Sequence, residues 1–233
     1  MDDSVRIRLE AKRRGISRLC HFTQSRKLAH ILTDLDGIWS TTRLKEMAPD
    51  LLDQTDPVRL DGCEDHICCS IEYPNTWYLA RVRDRDPLFR EWVILFLSPS
   101  LLWRGSLFCP RNAAAERGGL IQGGYAGFKR LYESEIVGAL GKTFKRTSAM
   151  LDCCPTDDQA EVLVFEHIPH SDILGIAVPT AERARIEIAR LSFLPNVVQA
   201  NWYIAPELFD NRWSNLVRRG RRPREEIFRE SKL

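Results

Sequence analysis

Gln159-Ala-Glu161-Val-Leu-Val-Phe165 is the stretch on which the reading turns. It opens on an amide and a carboxylate two residues apart and runs on into apolar residues, a pattern that predicts a strand. Residues two apart in a strand share a face, so Gln159 and Glu161 project together while Ala160 and Val162 point the other way. A carboxylate beside an amide at a strand's end can grip a sugar hydroxyl. The bland alternative is a glutamate on an edge strand, facing water.

Working outward, Ile173 to Val178 and Val197 to Tyr203 read as further strands, separated by a helix that Thr180 caps and Pro195 stops. Toward the N-terminus, Trp92-Val-Ile-Leu-Phe-Leu97 is the clearest buried strand, and His66 to Ile71 is another, ended by Pro74-Asn75. Thr76 to Arg83 fits helix or strand. Arg18-Leu-Cys-His-Phe22 is a strand after which Thr23 can cap a helix, with Leu28, Ile31, Leu32 and Leu35 on one face and Gly37 past its end. Leu44 to Leu52 has a second short helical pattern. Gly118 to Gly127 reads as a loop; without GxxxxGK[ST] spacing it is not a phosphate loop. Strands and helices interleave without regular alternation, which predicts an α+β fold rather than a doubly wound sheet. GxGxxG is absent, so a Rossmann cofactor site has no support.

The 233 residues are 44% hydrophobic and 28% charged, enough for one domain with its own core. The net charge of +2 hides a split. Residues 1–18 hold six basic and three acidic residues, residues 212–233 hold eight and three, and the stretch between holds 20 against 26. An acidic body with two basic ends results, and the Arg218 to Arg224 run reads either as a solvated tail or as a salt-sensitive anchor for nucleic acid. No apolar run approaches the roughly 20 residues that span a bilayer, and no secretory signal pattern opens the chain. Seven irregularly spaced cysteines fit a reduced, cytoplasmic setting. A zinc site from Cys63, His66, Cys68 and Cys69 is the sharp alternative to small buried side chains, but no second ligand pair completes it.

Two patterns taken together resemble a known family. Gln159-x-Glu161 is similar to the Q/E-x-E signature of ADP-ribosyltransferases, and His21-Phe-Thr23 with the helix after it resembles the NAD-binding opening of the DarT family. Asn201-Trp-Tyr203 near the end, and Leu60-Asp-Gly62 followed by Ser70-Ile-Glu-Tyr-Pro-Asn75, resemble further DarT segments, so the likeness spans about residues 17–204. It implies an ADP-ribosyltransferase-like fold with a central, split, antiparallel-rich β core flanked by helices. The implied layout is a basic segment at 1–16, a DarT-like domain at 17–211 and a basic tail at 212–233.

The implied activity is that of a toxin that transfers ADP-ribose from NAD+ to a nucleobase of single-stranded DNA, with RNA, a protein target or an inactive nucleic-acid-binding relative as alternatives. Glu161 matches the family's catalytic glutamate. His21 and Thr23 match its NAD-contacting pair, with Gln159 beside them. Arg59 falls where the family has an arginine that binds the NAD phosphates and shapes the site, which makes it the second implied catalytic residue, or is a surface arginine. Tyr73 stacks on nicotinamide, or is a core aromatic. Lys142, Lys145 and Arg146, in the loop before the catalytic strand, are the implied contacts to nucleic-acid phosphates. No metal is required and no membrane is involved; an antitoxin that removes ADP-ribose, such as a macrodomain protein, is the implied partner. Two departures leave the base open between guanine and thymine: Lys27 stands where many members carry Asn, and Cys68-Cys-Ser-Ile-Glu-Tyr73 replaces an aromatic-rich strand. Phe108-Cys-Pro-Arg-Asn112 competes for the same family segment, which leaves the alignment between 60 and 112 ambiguous.

Overall fold

The computed structural model describes residues 1–52, 59–86, 88–138 and 141–229. In chain order the strands are β1 (Leu19–Gln24), β2 (Gly37–Trp39), β3 (His66–Ile71), β4 (Trp92–Leu97), β5 (Leu107–Cys109), β6 (Gln122–Gly123), β7 (Glu135–Val137), β8 (Thr143–Lys145), β9 (Glu161–Phe165), β10 (His167–Pro169), β11 (Ile173–Val178), β12 (Trp202–Ile204) and β13 (Glu226–Ile227). The helices are α1 (Asp3–Arg14), α2 (Leu28–Ile31), α3 (Thr41–Met47), α4 (Thr76–Arg85), α5 (Gly124–Arg130), α6 (Ala181–Ser192) and α7 (Arg212–Val217). The chain is thus α+β, as the sequence predicts.

β4 is apolar and β-branched and is buried along its whole length, which suits a strand covered on both faces. It pairs antiparallel with β1 through six residues and with β11 on its other side. The main sheet runs β13-β12-β11-β4-β1-β3-β9-β5-β6, and within it only β11 and β12 are parallel. The sheet splits between β1 and β3. Those strands pair only at Leu19–Ile71 and Cys20–Ser70, so they diverge from His21 onward. One half carries β4 and β11; the other carries β3, β9 and β5. The divergence opens the cavity described below.

Several local expectations change. Thr23 does not cap a helix: β1 continues through Gln24, Thr23 pairs with Val93, and a 3-10 turn at Ser25–Lys27 leads into a single α-helical turn. Gly37 is not a helix stop but the first residue of β2, with φ of 117°. A side chain there would meet the Ile168 carbonyl of β10, which explains the glycine. Thr76 to Arg83 is helix. Gly118 to Gly127 contains β6 and the start of α5, and Gln159 lies just ahead of its strand rather than in it.

The basic ends are packed onto the body. On α1, Ile7 and Ala11 are buried in the core, and Arg14 reaches Asp152 at 2.7 Å. Trp213 and Val217 of α7 are core residues, and β13 closes the sheet edge against β12. Arg18 grips Glu225 at 2.6 Å, Arg218 meets the buried Asp158 at 2.9 Å, and Arg222 approaches the fully buried Glu72 at 3.5 Å. The change of composition at 212 is therefore not a change of packing.

Candidate functional site

Glu161 is the first residue of β9, which lies between β3 and β5, so it is not on an edge strand facing water. It is 8% exposed. The strand-to-turn passage from Cys109 through Pro110 brings two donors to it. The Asn112 side-chain amide donates to Oε1 at 3.2 Å, and the Ala113 backbone N–H donates to Oε2 at 3.1 Å. Burial raises its pKa to about 7; the Ala113 N–H and the nearby Arg59 cation oppose this, and Asp61 adds to it. Asn75, the N-cap of α4, accepts from Tyr78 N at 3.1 Å through Oδ1. Its buried Nδ2 lies near enough to Glu161 to favour the carboxylate. Glu161 is therefore a carboxyl poised near neutrality, as a general base must be.

His21 and Thr23 lie two apart on β1, past its last pair with β3, on the face that borders the split. The His21 Nδ1 sits 2.9 Å from the Cys68 carbonyl. A carbonyl only accepts, so Nδ1 carries the proton and Nε2 is left as an acceptor. Burial holds the ring's pKa down, which keeps it neutral.

Between the half-sheets lies a cavity of about 760 Å³ whose lining includes His21, Thr23, Arg59, Lys142, Gln159 and Glu161. That volume is in the range of sites for sizeable small molecules. Asp157 borders it as well, its pKa raised to about 6 by burial.

The remaining expected residues fare differently. Arg59 reaches the cavity wall, but its guanidinium is engaged: Nε and Nη2 pair with Asp61 at 3.0 and 2.9 Å, Nη2 also donates to the Cys63 carbonyl, and Nη1 donates to the His66 carbonyl at 3.1 Å. It braces the 59–66 loop beside Glu161. Tyr73 is buried behind the sheet, 5.4 Å from the Trp213 ring, and is not part of the cavity lining. Lys142 lies at the cavity with its amine 4.9 Å from the Phe144 ring. Lys145 pairs with Glu135 at 3.5 Å on the β7–β8 hairpin. Arg146 is clamped on the 151–154 turn, donating to the Cys154 carbonyl at 2.7 Å and to Asp152 at 3.1 Å. The sequence reading missed Asn112 and Asn75 as supports of the carboxylate, and Asp61 as the counter-ion of Arg59. The Pro110-Arg-Asn112 turn was the available signal, because a polar turn directly after a short apolar strand places donors at a sheet end.

Cys68 and Cys69 point to opposite faces of β3, and burial pushes the Cys68 thiol well up. Among the described residues no group of three or more His, Cys, Asp or Glu is placed to hold a metal ion, and no helix is long and apolar enough to cross a membrane.

The family model of the single-stranded-DNA thymidine ADP-ribosyltransferase DarT matches residues 20–209. Among solved structures, DarTG of Thermosipho africanus in complex with ADP-ribose superposes with a TM-score of 0.56 at 15% identity, covering 83% of this chain. The chain spans about half (51%) of that protein. DarT of Thermus sp. 2.9 in complex with NAD+ gives 0.53 at 13% identity, over 83% of this chain and 97% of the other. The same Thermus protein with ADP-ribosylated single-stranded DNA gives 0.56 at 12% identity, over 84% and 97%. No curated protein matches in sequence.

Proposed function

The chain belongs to the DarT family of NAD+-dependent single-stranded-DNA ADP-ribosyltransferases, and from that premise we propose that it attaches ADP-ribose to a thymine base, with Glu161 as the catalytic residue. The observation that carries the assignment is a buried carboxyl, held by two donors with its pKa at about 7, bordering the cavity that also takes in His21 and Thr23.

NAD+ lies along the split, with His21, Thr23 and Gln159 supplying polar contacts to it. The bond from the nicotinamide nitrogen to ribose C1″ breaks, and nicotinamide leaves with the electron pair. The cationic centre that grows on the ribose is oxocarbenium-like, as in glycoside hydrolysis. Glu161 beside it stabilises the transition state more than the ground state. A ring nitrogen of the base then bonds to C1″, and its proton passes to the Glu161 carboxylate. The cationic nicotinamide ring itself favours ionisation of Glu161, so the donor helps to charge the base that it needs. Arg59 and Asp61 hold the adjoining loop in place, and Lys142 approaches a phosphate of the strand. A single strand presents its base without the cost of unpairing.

Modification of DNA bases blocks templating, so we read the chain as the toxin of a toxin–antitoxin pair whose antitoxin removes the ADP-ribose. Mass spectrometry of single-stranded oligonucleotides after incubation with NAD+ tests the assignment. The expected product is an oligonucleotide heavier by one ADP-ribose on thymine, formed by the wild type and not by Glu161→Ala. Modification of guanine would replace the base; labelling of RNA or protein alone would overturn the DNA assignment.

A further inference from the structure

α4 borders the cavity with a face the reaction does not use. Thr76, Leu79 and Val82 face inward, and Trp77, Arg81 and Arg85, four residues apart, make a stripe on the opposite side. All three line the cavity and all three are exposed, Trp77 by 46%. Neither arginine has an acidic partner among the described residues, whereas Arg13, Arg14, Arg18, Arg146, Arg218 and Arg222 all do. A large indole left half in water and two unanswered guanidinium groups run outward from the mouth of the site.

We propose that this stripe is the path of the DNA strand beyond the modified base, with a neighbouring base stacked on Trp77 and backbone phosphates on Arg81 and Arg85. Single-strand-binding surfaces combine these two elements: an aromatic face that accepts any base and cations that follow the backbone. The stripe rises about 12 Å along the helix, at 1.5 Å per residue, which covers two or so nucleotides of a stretched strand. The path rests on the reading of the protein as a DNA-modifying transferase, and it makes the enzyme depend on the length of its substrate.

The test uses the full chain with a long single-stranded DNA of about 20 nucleotides, beyond common site sizes, and with a short substrate of one nucleotide, which has no neighbouring base to stack. Trp77→Ala raises the KM for the long oligonucleotide about tenfold, while kcat at saturation is kept and the short one is hardly affected; Trp77→Phe, which retains a stacking ring, restores most of the loss. The double variant Arg81→Ala/Arg85→Ala lowers the slope of log affinity against log salt by about 1.4, at about 0.7 per phosphate contact. Equal KM and equal salt slope in wild type and variants would overturn the path and leave the transferase reading intact. A rise in the KM for NAD+ in place of the oligonucleotide's would give the arginines to the dinucleotide and overturn it too. If the wild type bound the long strand through this stripe but transferred nothing to it, the path would stand and the transferase reading would fall.

Discussion

On the strand side of the cavity, the polar groups are answered from within the protein. Glu161 accepts from Asn112 and Ala113, Arg59 is held by Asp61, and His21 donates to the Cys68 carbonyl. On the helix side, Trp77, Arg81 and Arg85 stand exposed with no acidic partner among the described residues. The two walls divide the work by how much geometry each task needs. Glycosyl transfer needs a carboxylate fixed to within a fraction of an ångström, and that takes donors already in place. Contact with a polymer of varying sequence needs donors still free to be taken up. Substitutions on the strand wall should therefore alter rate and stability, and substitutions on the helix wall should alter only how the strand is held.

The strongest way to break that division is Glu161→Gln. The amide keeps the shape and removes both the negative charge and the proton acceptor. Transfer to a thymine-containing oligonucleotide should fall by roughly a thousandfold or more, the combined scale of losing a general base and an electrostatic stabiliser. Single-turnover rates with saturating NAD+ measure it. A loss under about tenfold would move the catalytic role off the strand wall.

Next in size is Asp61→Asn. It leaves the Arg59 guanidinium, whose side chain is only 11% exposed, without its counter-ion. Breaking one partner of a buried pair costs about 3 kcal/mol or more, readable by urea unfolding. Titration of Glu161 gives a somewhat smaller effect. Its folded pKa of about 7 lies above the ordinary value of 4.5, so the folded protein keeps a proton that the unfolded chain releases between those values. The stability it contributes is full below the ordinary value and is lost as pH rises through about 7. The stability difference between wild type and Glu161→Gln should therefore fall by up to about 3 kcal/mol from about pH 5 to about pH 8. A difference that is flat, or that grows with pH, would mean that Glu161 is already ionised in acid.

What could be read in the sequence follows the same line between local and long-range determination. β4, β3 and β11 were legible to the residue because buried apolar runs bounded by turns decide a strand locally. The start of α6 was legible too, where the Thr180 side chain accepts from Arg183 N at 3.1 Å. Thr23 was misread because a threonine before a polar run looks like a cap, and only the pairing with Val93 keeps it in β1. Glu161 and His21 could be singled out by motif, but the carboxylate's supports could not. Asn112 and Asn75 lie 49 and 86 positions from Glu161 in the chain and meet it only when β5 and β3 close on β9. Charge misled most. The arginines of 212–224 look like a free basic tail, yet two of the buried carboxylates they answer, Glu72 and Asp158, lie elsewhere in the chain.

That contrast yields the smallest effect and the sharpest test of how cations are used here. Arg218 donates to Asp158 at 2.9 Å and to the Thr156 carbonyl at 3.2 Å, while Ser214 also donates to Asp158. Arg218→Ala leaves a carboxylate that is 8% exposed with one donor fewer, at a cost of about 1–2 kcal/mol. The same change should leave the salt slope of DNA binding where it was, because the guanidinium is already occupied by the protein. Unfolding in urea and a salt titration of a labelled oligonucleotide, run side by side, read both. A lower salt slope with unchanged stability would mean that Arg218 contacts the strand, and the line between arginines that hold the fold and arginines that hold DNA would then run somewhere other than between the C-terminal segment and α4.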